Sequence, residues 1–305
     1  MTIKECKEWL SRARKTDEEI NALILEQERA LTNATSTVAQ SGSEKVQTSN
    51  VNTSENKFIS YAAYSELIDK RIDRLYEIKK EICDIGKRIY NRNMVAANDG
   101  NISVKLNDNE FLCTPTGVSK GFMTPEYICK VDRDGNVLQA NGNFKPSSEI
   151  KMHMRVYQER PDVNSVVHAH PVYATSFAIA GIPLTQPIMP EAVIALGCVP
   201  IAKYGRPSTM EIPDAVSEYV QYFDAVLLEN HGALTYSDSL LNAYLKMESV
   251  EFYAQLLYQS KMLGGPKEFD QATVEKLYEI RRQMGLPGKH PANLCQNKGE
   301  KNCHN

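Results

Sequence analysis

The hydrophobic period of this 305-residue chain changes near Ile89, and that change limits what it can fold into. Before it, apolar residues recur every three or four positions. They do so over 3–31 (Ile3, Cys6, Ala13, Ile20, Leu31), and again from Tyr64 through Ile68, Ile72, Leu75, Ile78, Ile82 and Ile85 to Ile89. That spacing predicts two amphipathic helices. Between them, ten of the 25 residues 32–56 are Ser or Thr and almost none is a large apolar side chain. Such a segment cannot offset the entropy of ordering and reads as a flexible loop. The helical pair serves either as an oligomerisation or docking module or as a passive extension.

After Ile89 short β-like runs alternate with turn signals: Ile102–Leu106, Glu110–Cys113, and a hairpin of Ile128–Val131 and Val137–Ala140 around Asp132-Arg133-Asp134-Gly135-Asn136. Further strands are expected at Val163–His168 and Ala225–Leu228. Helices are expected at Ser147–Glu159, Val172–Ala180, Ile212–Tyr222, Ser239–Leu263 and Thr273–Met284. Residues 183–204, with four prolines, read as irregular, and the tail from Leu286 as loose. Strands and helices without repeated βα units predict a layered α/β domain around a mixed, largely antiparallel sheet.

Composition removes several function classes. A net charge of −3 gives no electrostatic case for nucleic acid or an anionic membrane surface. No apolar run approaches the roughly 18–20 residues of a membrane span. Seven scattered cysteines do not form a disulfide framework, which points to a reducing cytoplasm.

The chemistry concentrates in residues 145–171. On a strand, positions i and i+2 face the same way, so His168 and His170 can point at one spot after the apolar Val166-Val167. His231 also follows an apolar strand. Three such histidines with one open position suit a catalytic zinc ion, and an isolated H-x-H suits ordinary structure as well. Ser147 and Ser148 open a helix; they serve either as N-caps or, with the free N–H groups there, as a phosphate cradle. Glu149 is either a first-turn charge or a reactive carboxylate, and His153, four residues on, shares its helix face. Thr116-Gly117 and Gly100-Asn101 are turns that can also present a hydroxyl or close backbone to an anion. Cys295, Cys303 and His304 lack a zinc-finger spacing.

The order of five motifs is more telling than any one: N-D-G-N-I-S at 98–103, T-P-T-G at 114–117, K-P-S-S-E at 145–149, V-H-A-H-P at 167–171 and E-N-H-G at 229–232. Together they resemble the class II aldolase/adducin-head family, above all its fuculose-phosphate aldolase branch, from about Glu77 to Gly265. The resemblance implies a three-layer α/β/α domain over 77–285 and a homotetramer; the helical extension over 1–76 and the flexible tail over 286–305 lie outside the family pattern. It implies that His168, His170, His231 and Glu149 bind one zinc ion per subunit. Glu149 then acts as the acid–base group, and Asn101, Thr116, Gly117, Ser147 and Ser148 hold the phosphate. The implied reaction is reversible cleavage of a ketose 1-phosphate, such as L-fuculose 1-phosphate, to dihydroxyacetone phosphate and a short aldehyde. Alternatives on the same site are a sugar-phosphate 4-epimerase or a methylthioribulose-phosphate dehydratase; a non-catalytic oligomeric binding protein is the alternative of another class. The chain departs from the branch at Pro200–Gly205, where Ile201 stands in the place of a tyrosine and Tyr204 lies three residues on.

Overall fold

The computed structural model describes residues 53–294, with side chains over 70–292. The expected helix over 3–31 and most of the expected loop lie outside these. The chain divides into two compact units between Lys80 and Glu81. The second expected helix is present as α1, Thr53–Asn91. It begins at Thr53, inside the segment assigned to the loop.

The second unit is built on one eight-stranded sheet, ordered β4-β3-β2-β1-β5-β8-β7-β6. The strands are β1 Asn101–Lys105, β2 Phe111–Cys113, β3 Cys129–Val131, β4 Val137–Gln139, β5 Ser165–Ala169, β6 Ile201–Ala202, β7 Ala225–Leu228 and β8 Gly232–Ser237. Every neighbouring pair is antiparallel except β6 with β7. The mixed sheet has helices on both faces, as expected. On one face, α2 (Ile150–Glu159) and α5 (Glu211–Val220) cover a core that includes Phe111, Val131, Met154, Val166, Val226 and Tyr236. On the other, α3 (Val172–Ile179) packs with α6 (Leu240–Met262). The short α4 (Pro190–Ala195) meets α7 (Gln271–Gln283), and α8 (Pro291–Leu294) closes the described chain. No described helix is long and apolar enough to cross a membrane.

Three elements escape the sequence reading for physical reasons. All six residues of β8 are buried, so no alternation marks it as a strand. Pro190, read as a breaker, occupies the first turn of α4, where its missing N–H costs nothing. The stretch from Leu286 is packed rather than loose up to Ala292. Asp224 is buried and accepts hydrogen bonds from Arg160 Nη2, Lys246 Nζ and the Lys289 backbone N–H. A Cβ at Gly288 would fall 1.9 Å from Asp224 Oδ2, so only glycine fits there. Among the described cysteines, Cys198 is disulfide-bonded, which departs from the reading of seven reduced, scattered thiols.

Candidate metal centre

The register of the sheet gathers three motifs at one rim. Asn101, the first residue of β1, pairs with His168 near the end of β5. Gly232, the first residue of β8, pairs with Leu228, the last of β7. The turns 98–100 and 229–231 and the exit from β5 at His170 therefore lie side by side. Asn230 takes a left-handed conformation (φ 55) in the three-residue link, and the His231 N–H donates to Leu228 O at 3.0 Å. Asn tolerates that region better than other β-carbon-bearing residues.

The three histidines converge as expected. One ligand-capable atom from each of His168, His170 and His231 lies within 4.8 Å of the others. Their tautomers follow from their partners. His168 Nδ1 faces Ala233 O at 2.9 Å, and a carbonyl can only accept, so Nδ1 carries the hydrogen. His170 Nδ1 lies 3.5 Å from Asp99 Oδ2, a long contact to an acceptor-only carboxylate. His168 Nε2 is then bare, and it faces His170 Nε2 at 3.1 Å, so the two atoms can meet one ion. His231 Nδ1 is buried without a hydrogen-bond partner. The donor set therefore fits a divalent, nitrogen-preferring ion.

Electrostatics agree with this fit. Burial, then His231 and His170, hold the His168 imidazole well below its ordinary value. Burial, then His170, pushes His231 down to about 4. Burial also lowers His170, opposed by Asp99. The three rings are neutral at pH 7, the form that binds metal. Gly232 is required beside them: a Cβ there would meet Ala169 O at 2.5 Å and His170 Cδ2 at 2.7 Å.

Glu149, expected as the fourth ligand, is not one of this group. It directly precedes α2, and its Oε1 accepts from the Ser208 N–H at 2.8 Å. Burial raises its carboxyl above the ordinary range, opposed by that N–H. The expected phosphate residues form one ledge. Thr114 N–H donates to Ile102 O and Ser147 N–H to Thr114 O, while Thr116 N–H donates to Lys145 O. Pro115 and Pro146 form an isolated bridge. Thr116, Gly117 and Ser148 are exposed, Ser147 is buried, and Asn101 Oδ1 is buried without a partner. Tyr204 is exposed, with its N–H on Glu229 Oε2; Ile201 lies in β6. His153 is structural: it is buried with Nδ1 2.7 Å from Ser103 Oγ, which also contacts Tyr157 OH. Cys295, Cys303 and His304 lie outside the described residues.

Sequence reasoning gave no role to Asp99, Lys120, Ser208 or Glu229, although Asp99 and Glu229 stand within two of its motifs; each contact is made with a neighbour distant in sequence.

The mixed sheet, the three converging imidazoles and the neighbouring ledge make one candidate site at the sheet rim. The profile described as Class II Aldolase and Adducin N-terminal domain matches residues 80–258, and the chain belongs to that family as an aldolase-type lyase. An L-fuculose phosphate aldolase of Methanococcus maripaludis is 35% identical over 178 residues, 58% of this chain and 94% of the relative. A 5-deoxy-D-ribulose 1-phosphate aldolase of Bacillus thuringiensis is 32% identical over 67% of this chain and 94% of its own length. A solved L-fuculose 1-phosphate aldolase superposes with a TM-score of 0.63 at 29% identity, covering 68% of this chain and 96% of its own.

Proposed function

We propose that the protein is a zinc-dependent aldolase that reversibly cleaves a ketose 1-phosphate, of the L-fuculose 1-phosphate kind, to dihydroxyacetone phosphate and a short aldehyde. The observation that carries this reading is the convergence of His168, His170 and His231 beside the ledge formed by 114–117 and 145–148. His168, His170 and His231 hold the ion. Bound there, zinc supplies Lewis acidity for the charge that develops on the ketose oxygens.

The chain's own groups do the rest. Ser147, Ser148, Thr116, Gly117 and Asn101 hold the phosphate, close to the N-terminus of α2. As the C3–C4 bond breaks, its electron pair stays on the C3 fragment, and the C4 hydroxyl gives its proton to solvent as it becomes the aldehyde carbonyl. Glu149 delivers a proton to C3; its raised carboxyl keeps that proton closer to neutrality than an ordinary glutamate does. The active form is a cytoplasmic homotetramer. The exposed Leu241, Leu245, Phe252, Tyr258 and Met262 of α6 support it, as apolar surface that an assembly covers.

The test is dihydroxyacetone phosphate release from a panel of ketose 1-phosphates that includes L-fuculose 1-phosphate. We expect release that stops on chelation, returns with Zn2+, and is lost in His168→Ala. Turnover that survives both treatments, or a product with an intact carbon skeleton, overturns the reading.

A further inference from the structure

The segment 93–100 has no ligand of its own, yet it holds His170 from two sides. The His170 N–H donates to Met94 O at 2.8 Å, and its Nδ1 faces Asp99 Oδ2 at 3.5 Å. The segment is conformationally strained. Asn93 and Ala97 have φ of 56 and 46, a region that side chains with a Cβ avoid. Its first residues are tied to the end of α1, Asn93 N–H to Tyr90 O at 3.0 Å and Met94 N–H to Ile89 O at 2.9 Å, and its turn closes with Asp99 N–H to Ala96 O at 2.8 Å. Lys120 adds a side-chain tie at the Asp99 end: it is 1% exposed and donates through Nζ to Asn98 O at 3.0 Å and Val118 O at 2.7 Å. A buried lysine is costly unless its donors are used, and these two join the Asp99 turn to the loop that follows Thr116-Gly117.

We propose that Asp99 is a positioning residue for His170, and that Lys120 acts through Asp99 by clamping its turn to the phosphate loop. Asp99 fixes the hydrogen on Nδ1, which leaves Nε2 bare for the ion, and it restrains the ring. Carboxylates that accept from the far nitrogen of a metal-binding histidine are worth about 10- to 100-fold in metal affinity. Lys120 touches no ligand and no substrate group; its contribution reaches the centre only through the placement of Asn98 and Asp99. This inference rests on the metal-centre reading above.

The experiment measures Zn2+ affinity by chelator competition at fixed pH, and the visible spectrum of the Co2+ form. It uses wild-type protein, Asp99→Ala, Asp99→Asn, Lys120→Met and the double variant Asp99→Ala/Lys120→Met. Asp99→Ala is expected to weaken Zn2+ binding about 10- to 100-fold. Asp99→Asn keeps an acceptor oxygen and should recover part of that loss. Lys120→Met should weaken binding by less than Asp99→Ala, and the double variant should be no worse than Asp99→Ala alone, since both act on one histidine. Folded Asp99→Ala that binds Zn2+ as wild type does, with an unchanged Co2+ spectrum, overturns the proposal. Losses that add in the double variant overturn the route through Asp99. If Lys120→Met does not fold, the two Asp99 variants still decide the role of Asp99. Wild-type protein that binds no metal sinks the metal-centre reading itself, a result distinct from unchanged binding in the variants.

Discussion

At the scale of single residues, Glu149 and Gly232 make separable contributions. Glu149→Gln keeps the shape and loses the titrating group. We expect Zn2+ content close to wild type and a fall in turnover of about 10²- to 10⁴-fold, the usual worth of a positioned acid–base group. Metal analysis alongside dihydroxyacetone phosphate release checks both halves, and wild-type turnover would remove Glu149 from the mechanism. Gly232→Ala should do the reverse. Its Cβ presses on Ala169 O and the His170 ring, so the ladder must shift at the point where two ligands leave it. Overpacking of this kind costs about 1–3 kcal/mol, read as a lower Tm, and here it should also weaken Zn2+ binding. The histidines and the Ser-Ser-Glu run were legible in the sequence because those residue types carry chemistry wherever they are found. The parts of Asp99 and Lys120 were not, because Asp99 reads as one residue of a turn motif and a lone Lys reads as surface until the fold buries it.

At the scale of elements, His290 shows how a segment read as loose is held. Its Nε2 faces Val193 O at 2.8 Å, and its Nδ1 accepts from the Ala292 N–H at 3.0 Å. Only the neutral ring satisfies both, and burial, the largest cause, pushes its pKa down to about 3. Between the ordinary value near 6.5 and about 3, the unfolded chain binds a proton that the folded chain refuses. Stability is therefore full above pH 6.5 and falls as the pH drops through that window. Tm measured from pH 7 to 4 should fall less steeply in His290→Gln, which retains a donor and an acceptor but does not titrate. An equal slope would show that His290 is already protonated or solvated in the folded state. Sequence patterning found the elements bounded by turn signals, such as β3 with β4 around Asp132–Asn136. It missed those defined by burial alone, such as β8, and those defined by a buried ion network, such as the Gly288–His290 segment on Asp224.

At the scale of the whole molecule, the proposed tetramer should show a native mass four times 34.3 kDa in light scattering on a sizing column. A monomeric mass at micromolar concentration would leave the apolar face of α6 without the cover assigned to it.

The ladder between β5 and β8 runs through five consecutive pairs, from Ser165 with Ser237 to Ala169 with Ala233. A slip of one residue would turn His168 to the opposite face, so the spacing of the histidines is tied to the cohesion of the entire sheet. The ledge at 114–117 and 145–148 and the loop at 203–210 carry no such obligation; they are surface connections joined by a few backbone bonds. Inheritance can therefore rewrite which substrate is accepted, one loop at a time, while any lineage that disturbs the ladder forfeits the histidine cluster and the fold together.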